Sequence, residues 1–395
     1  MKKLTVLKQA LLSLVFGISI QAYLVFPGAY EKIAIAFISV LTYRFVVQQN
    51  KIDWRYYRRM LVVILLGMFL AYSIIDFMSM EEKLDEQLKG LRNKENVAVL
   101  LVFDGESTTY DVSLALRNYR KEIKGLREIT IPLKLYQYKK AYEHLRISRY
   151  QEKAISIQEK LGGLLSPHYD VYISYAEANP YYYEVMDQII LKENYDKVIV
   201  QPISIGESLE AIAEGNNRIM PYLIRSKTMV RHGESLWNSE KIAKAVVKRA
   251  LGNNPEKAEG DIGIILMAGS NIQKINTKIG TINMRREMLF MERVKTYFTQ
   301  QGIESRKIIA LDMVNDKEGL EKAVQQLRLY GVGKIYLISI HDFLDKIENQ
   351  SYIYKFMEKL EEQQDLNMEY IDGWGTEDLV IEELENRIRL LNVQE

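Results

Sequence analysis

Apolar residues are distributed along this chain in two ways, and the change from one to the other divides it. Residues 10–26 (ALLSLVFGISIQAYLVF) and 60–75 (MLVVILLGMFLAYSII) are nearly unbroken apolar runs. With their flanking residues, each is about long enough to span the hydrocarbon of a bilayer. Between them, residues 33–47 are apolar over a shorter length and carry Arg44, whose long stem reaches toward an interface. Residues 80–94 (MEEKLDEQLKGLRNK) combine helical spacing with mixed charges and predict a solvated stalk helix. Beyond that, short runs rich in Val and Ile alternate with longer amphipathic segments, the pattern of βαβ units around a parallel sheet. Strands are predicted at 97–103, 170–174, 197–201, 262–267, 307–311, 334–338 and 368–371. Helices are predicted at 110–123, 149–161, 181–191, 239–251, 286–300, 317–330, 352–363 and 377–391.

A polar stretch with Gly and Pro, GNNPEKAEG at 252–260, splits the α/β region into halves of comparable size. Each half opens with an apolar strand ending in Gly and a small or polar residue, FDGES at 103–107 and MAGS at 267–270. Each also holds a later strand led by Lys, at Lys197 and Lys334. This self-similarity predicts duplication of one α/β unit. The expected organisation is a membrane anchor of about three helices at 1–79, a stalk at 80–95, a first half at 96–251 and a second at 261–395. The expected fold class is α/β, two similar Rossmann-like halves with parallel sheets, preceded by an all-α transmembrane segment. A ligand belongs in the cleft between the halves, outside the carboxyl ends of the strands.

Charge orients the anchor and removes one class of partner. Lys2, Lys3 and Lys8 precede the first run, and Arg44, Lys51, Arg55, Arg58 and Arg59 cluster before the last. The positive-inside bias puts both groups in the cytoplasm, so the last crossing carries the soluble region to the extracytoplasmic side of the cytoplasmic membrane in a multi-pass arrangement. No small-residue cleavage site follows the first run, which argues for a retained span over a signal peptide. With 53 Lys+Arg against 52 Asp+Glu, the chain lacks the basic field that nucleic-acid binding needs. It also contains no cysteine, so any metal ligands must be His, Asp or Glu.

Three stretches, taken in order, resemble the class II metal chelatases, the ferrochelatase and cobaltochelatase group that inserts a divalent metal into a tetrapyrrole. They are LLVFDGES at 100–107 followed by Tyr110, VYISYAEANPYYYE at 171–184, and GVGKIYLISIHDFLDKIE at 331–348. The resemblance spans about residues 97–391. It implies a chelatase-like fold, a tetrapyrrole or a divalent Fe, Co or Ni ion as ligand, and Asp345 and Glu348 on the family's Asp-x-x-Glu. The carboxylate at the Glu348 position handles metal or protons in that family. Two departures stand out. Gly206 stands where the family has a metal-contacting histidine in a Pro-x-x-Pro-His setting, and Gly269 where it commonly has a histidine in an Ala-His-Ser context. Glycine offers neither a donor nor a base, so the replacement candidates are Glu207, beside the vacant position, and His341, at the end of a second-half strand. Trp374, between Gly373 and Gly375, falls where the family's last strand meets its cleft. The implied function is a membrane-anchored, extracytoplasmic chelatase-like protein that binds a tetrapyrrole, a divalent metal or both, as a degenerate chelatase. The alternative is a non-catalytic binding, sensing or partner-docking domain.

A competing motif lies at 229–238. MVRHGESLWN resembles the signature of histidine phosphatases and phosphoglycerate mutases through Arg231-His232-Gly233-Glu234. That resemblance implies His232 as phosphorylated nucleophile and Arg231 as phosphate ligand. The motif requires the first strand of its domain and a second His followed by Gly. Here it follows RSKT, a poor strand, and neither His144, His168 nor His341 precedes a glycine. The chelatase resemblance makes the same stretch a loop leading to the last helix of the first half.

Overall fold

The structure is a computed structural model of the 395-residue chain. It describes residues 2–47, 54–78, 96–123, 125–193, 195–206, 228–252, 261–268, 278–312, 317–364 and 367–394. The chain forms two compact units, Met1–Lys83 with Thr109–Arg146, and Leu84–Thr108 with Ile147–Glu395. The expected stalk and most of the inter-half linker lie outside the described residues.

The first unit is all-helical. It begins with α1 (Lys2–Val25), α2 (Ala29–Val47) and α3 (Trp54–Met78). Two stretches, Leu7–Val25 and Tyr57–Phe77, are long and apolar enough to cross a membrane. The middle apolar segment extends further than its hydropathy predicted, because α2 begins at Ala29 and takes in Glu31 and Lys32. Helices α1 and α3 touch backbone to backbone. A methyl group at Gly17 would collide with the Ile64 carbonyl, and one at Gly67 with that of Leu14. Small residues at such crossings allow the close contact that drives helix association where lipid supplies no hydrophobic force.

Two further helices complete this unit, α4 (Val112–Glu122) and α5 (Ile131–Leu145), joined through a 3-10 turn at Gly125–Thr130. Asp111 starts α4 by accepting a hydrogen bond from the Leu114 amide at 3.0 Å. Val25 and Ile75, at the ends of α1 and α3, share a buried cluster with Ala115, Leu116, Ile123, Ile131 and Leu135. Periodicity placed residues 109–123 in the first α/β half and left 124–146 without an element. The contacts instead group this segment with the N-terminal helices.

The second unit carries two four-stranded parallel sheets of the same design. Strands β1 (Val97–Phe103), β2 (Tyr169–Tyr175), β3 (Lys197–Pro202) and β4 (Met229–His232) run in the order β2-β1-β3-β4. Strands β5 (Ile262–Ala268), β6 (Ile308–Asp312), β7 (Lys334–Ser339) and β8 (Asn367–Ile371) repeat it as β6-β5-β7-β8. The central strands are almost wholly apolar because both faces are covered: β5 is buried throughout, and β1 from Ala98 onward. The covering helices are α6 (Tyr150–Leu165), α7 (Tyr182–Asp187), α8 (Glu240–Leu251), α9 (Lys278–Gln300), α10 (Lys317–Leu329), α11 (Ile347–Gln364) and α12 (Asp378–Val393). The expected α/β class and duplicated halves are therefore present. One expectation fails: 229–232 is not a loop but the fourth strand, paired in parallel with β3 through Val198–Val230 and Val200–His232. It is a four-residue edge strand with no fully buried residue, so it needs no apolar run to mark it.

Candidate functional site

In each sheet the strand order reverses between the first and third strands, at β1/β3 and β5/β7. Ligands of open α/β sheets bind outside the carboxyl ends of the strands at such reversals. The loops leaving β1 and β3 meet the loop leaving β7. The Ile205 amide donates to the His341 carbonyl at 3.3 Å, and the Phe103 and Phe343 rings pack edge to face at 5.2 Å. The loop leaving β5, with Gly269, lies outside the described residues, as does Glu207.

The exit of β1 turns at Gly105, whose φ of +86° favours glycine and whose Cα faces the Tyr175 ring too closely for a Cβ. The turn buries Glu106. Its carboxylate accepts from the Ser148 hydroxyl and from the Ile347 amide, at 3.1 and 3.0 Å to its two oxygens. Ile347 is the first residue of α11, so a carboxylate of the first half caps a helix of the second. Burial pushes the Glu106 carboxyl up to about 7, against the downward pull of Ser148 and the Ile347 amide.

The exit of β7 is denser in ionisable groups. Asp342 is buried and accepts from the Tyr150 hydroxyl at 2.6 Å and the Phe343 amide at 2.7 Å. Burial, with the nearby Asp104 charge, holds its carboxyl well above the usual range. Asp345, also buried, accepts from Tyr370 and Asn349, each at 2.7 Å, and from the Lys346 amide at 3.0 Å. Its Oδ1 stands 3.4 Å from His341 Nε2, while His341 Nδ1 lies 3.1 Å from the Ser339 hydroxyl. His341 is thus oriented by both ring nitrogens and keeps 14% of its side chain exposed, against 4% for Asp345. Lys346 forms an ion pair with Glu177 at the exit of β2. Glu348 sits half-buried in the first turn of α11.

The loop leaving β8 wraps this exit. The Trp374 amide donates to the Asp342 carbonyl at 3.2 Å and the Gly375 amide to that of Phe343 at 2.8 Å. Trp374 is fully buried against Phe343, with ring centroids 6.0 Å apart. Its indole is therefore held in the packed interior. Arg249 secures the loop from α8, bonding Asp372 at 3.0 Å, the Gly373 carbonyl and Glu377.

Gly206 is half-buried, and a Cβ there would come within 3.3 Å of Asn283 Cγ on α9. Part of the space beside this backbone is thus filled by an amide from the second half. Among the described residues, no three His, Asp or Glu side chains converge as a metal site. The sequence pointed to His341, Asp345 and Glu348, and the structure brings them to one loop and helix start. It gave no indication of Tyr150 or Asn283; Glu106 and Asp342 were quoted within motifs without a role. Their spacing in the chain is too wide for any local pattern to join them.

The histidine-phosphatase residues are arranged differently. Arg231 and His232 are neighbours on edge strand β4, so their side chains point to opposite faces of the sheet. Arg231 donates to the Leu391 carbonyl at 2.8 Å, near the end of α12.

No family model matches the sequence, and neither does any curated protein. Similar solved structures include SirB from Bacillus subtilis with Fe3+, 15% identical, with a TM-score of 0.48 over 75% of this chain and 96% of that one. Another is the sirohydrochlorin chelatase SirB from B. subtilis subspecies spizizenii in complex with cobalt, 13% identical, with a TM-score of 0.46 over 74% of this chain and 94% of that one. A third is DR2241 from Deinococcus radiodurans, a multi-domain protein with structural similarity to chelatases and two additional novel domains. It is 13% identical, with a TM-score of 0.44 over 76% of this chain and 56% of that one.

Proposed function

We propose that the second unit binds a divalent metal ion, a tetrapyrrole or both where the two strand-order reversals meet, and that α1 and α3 hold it on the outer face of the cytoplasmic membrane. One observation carries the binding site. The Ile205–His341 backbone hydrogen bond brings the residue that carries the second half's imidazole next to the exit of β3, one residue before Gly206, where the class II chelatases that the sequence resembles carry histidine. A lost donor in one half is thereby answered by a donor from the other. Imidazole with carboxylates suits a borderline divalent ion such as Fe2+, Co2+ or Ni2+. In this reading His341 is the first metal donor, with Nδ1 held by the Ser339 hydroxyl and Nε2 exchanging its contact with Asp345 for the ion, and Glu207 and Glu348 are the flanking carboxylates. Gly206 and Gly269 give the macrocycle backbone to approach, Asp345 lies beside the ion, and Trp374 packs against Phe343 to brace the loop that carries these groups.

Insertion of the metal would also need a base for two pyrrole protons. Glu348 is the group assigned to that step, taking the protons one after the other and releasing each to water, and the metal is then substrate. The test is absorbance titration of the purified full chain in detergent with sirohydrochlorin or a porphyrin, with and without Co2+. The expected result is a shifted tetrapyrrole band and Co2+ binding weakened at least about tenfold in His341→Ala, the scale on which losing a metal ligand or its orienting partner acts. Metal-dependent conversion lost in Glu348→Gln would add catalysis to binding. Absence of both metal and tetrapyrrole binding, or equal binding by His341→Ala, defeats the proposal.

A further inference from the structure

Segment 109–146 interrupts the first α/β half, yet it packs in the N-terminal unit. Its contacts are with particular parts of the long helices. Lys139, with none of its surface exposed, donates from Nζ to the Tyr23 carbonyl at 2.6 Å and approaches that of Phe26 at 3.4 Å. The Tyr110 hydroxyl donates to the Val25 carbonyl at 2.8 Å. These are carbonyls of the last turn of α1 and the residue after it, groups left without partners inside the helix and costly to leave bare near hydrocarbon. Lys139 also pairs with Glu31 in the first turn of α2 at 3.2 Å, and Arg120 pairs with Asp76 at the end of α3. The insert is therefore built onto the ends of three long helices.

It also reaches past those ends. Tyr136 meets Tyr23 with ring centroids 5.7 Å apart. Tyr72 packs against the cluster that Val25 and Ile75 form with Ala115, Leu116, Ile123, Ile131 and Leu135. Tyr72 precedes Phe77, the end of the apolar stretch, by five residues, or roughly 7 Å at the helical rise of 1.5 Å per residue. The insert thus overlaps the depth at which an interfacial helix buries its apolar face, about 5–10 Å into the headgroup and acyl boundary. On this insert two large apolar side chains are exposed: Ile129 is 82% exposed and Leu133 57%. Exposed Lys121, Arg127 and Lys134 flank them, while Glu128 is turned back to accept from the Gly125 amide at 3.0 Å.

We propose that residues 125–134 form an interfacial wedge of the anchor, with Ile129 and Leu133 immersed in the acyl region of the outer leaflet and Lys121, Arg127 and Lys134 at its phosphates. The occupant of this apolar surface is lipid, because the insert is built onto the ends of helices apolar enough to cross a bilayer and exposed basic side chains flank the apolar pair, the pattern of a segment lying at the headgroup boundary. The wedge adds a second membrane attachment to the anchor. The inference rests on the reading that α1 and α3 cross a bilayer.

The chain has no cysteine, so single nitroxide labels can be placed without background. The experiment uses the full chain in phosphatidylcholine–phosphatidylglycerol bilayers, with Ile129→Cys and Leu133→Cys labelled in turn. Phe69→Cys on α3, 67% exposed, is the lipid reference, and Leu329→Cys on α10, 87% exposed, is the aqueous reference. Power saturation compares collisions with oxygen against those with a water-soluble nickel chelate. Labels at 129 and 133 should favour oxygen several-fold, as at 69, with the opposite preference at 329. If 129 and 133 behave like 329 while 69 stays in lipid, the wedge is wrong and the spans stand. If 69 itself is aqueous, the spans and the wedge fall together.

Discussion

The exits of β3 and β7 occupy equivalent places in twin sheets, and they have been put to opposite uses. Leaving β3, the chain runs through buried Ile203, Ser204 and Ile205 to Gly206 and contributes shape. Leaving β7, it runs through His341, Asp342 and Asp345 and contributes ionisable groups. The first half nevertheless holds this segment in place, with Tyr150 on Asp342, Glu106 on the first turn of α11 and Glu177 on Lys346. The twin sheets thus carry unlike loops at equivalent exits, and side chains of the first half fix the ionisable loop of the second.

The largest effect that would test this asymmetry is expected at Gly373, beside the β7 exit. Its φ of +140° is closed to ordinary side chains, and a Cβ would meet the backbone carbonyls of Phe343 and Asp342. Gly373→Ala should lose about 3 kcal/mol or more, the sum of backbone strain and overpacking, read as a drop in thermal midpoint of the detergent-solubilised chain. Gly206→Ala asks only that Asn283 move by a few tenths of an ångström and should lose less than about 1 kcal/mol. Equal losses at the two positions would mean that the exits are packed alike, contrary to the contrast drawn above.

Glu106 gives a second test, through pH. Its carboxyl is raised from 4.5 to about 7 in the folded chain, so between these values the folded state keeps a proton that the unfolded state releases. The associated stability is full below pH 4.5, declines as pH rises, and is gone above 7. The change is up to about 3 kcal/mol at 1.36 kcal/mol per pH unit. Glu106→Gln retains an oxygen for the Ile347 amide at every pH, so denaturant unfolding at pH 5 and pH 8 should differ less in this variant than in the parent. An unchanged pH slope would mean that burial does not raise the Glu106 carboxyl.

Much of this fold was legible because its physics is local. Continuous apolar runs marked β1, β3, β5 and β7, since strands covered on both faces leave no polar position to confuse the pattern. Strand β4 was missed because a short edge strand needs only a partner's ladder, and the grouping of insert 109–146 with the N-terminal helices left no local signal because its partners, among them Val25 and Ile75, lie well before it in the chain. Of the candidate site, His341, Asp345 and Glu348 are close in sequence and could be seen together. The Tyr150–Asp342 and Gly206–Asn283 contacts join residues far apart in the chain, where no periodicity operates.

The smallest expected effects lie at Arg231 and His232, where the sequence carried its most specific string. A histidine phosphatase needs both side chains on one anion. On a strand, consecutive side chains leave opposite faces, and here Arg231 is already committed to the Leu391 carbonyl. Arg231→Ala should therefore weaken the hold of β4 on α12 by no more than about 1 kcal/mol, the worth of a partly solvated hydrogen bond. His232→Ala should leave both stability and any slow hydrolysis of p-nitrophenyl phosphate unchanged. Turnover by the parent chain that disappears in His232→Ala would reverse this, because it would require β4 to leave the sheet and turn both residues toward one phosphate. Such a rearrangement would break the parallel pairing of Val200 with His232 and leave β3 as the edge of its sheet.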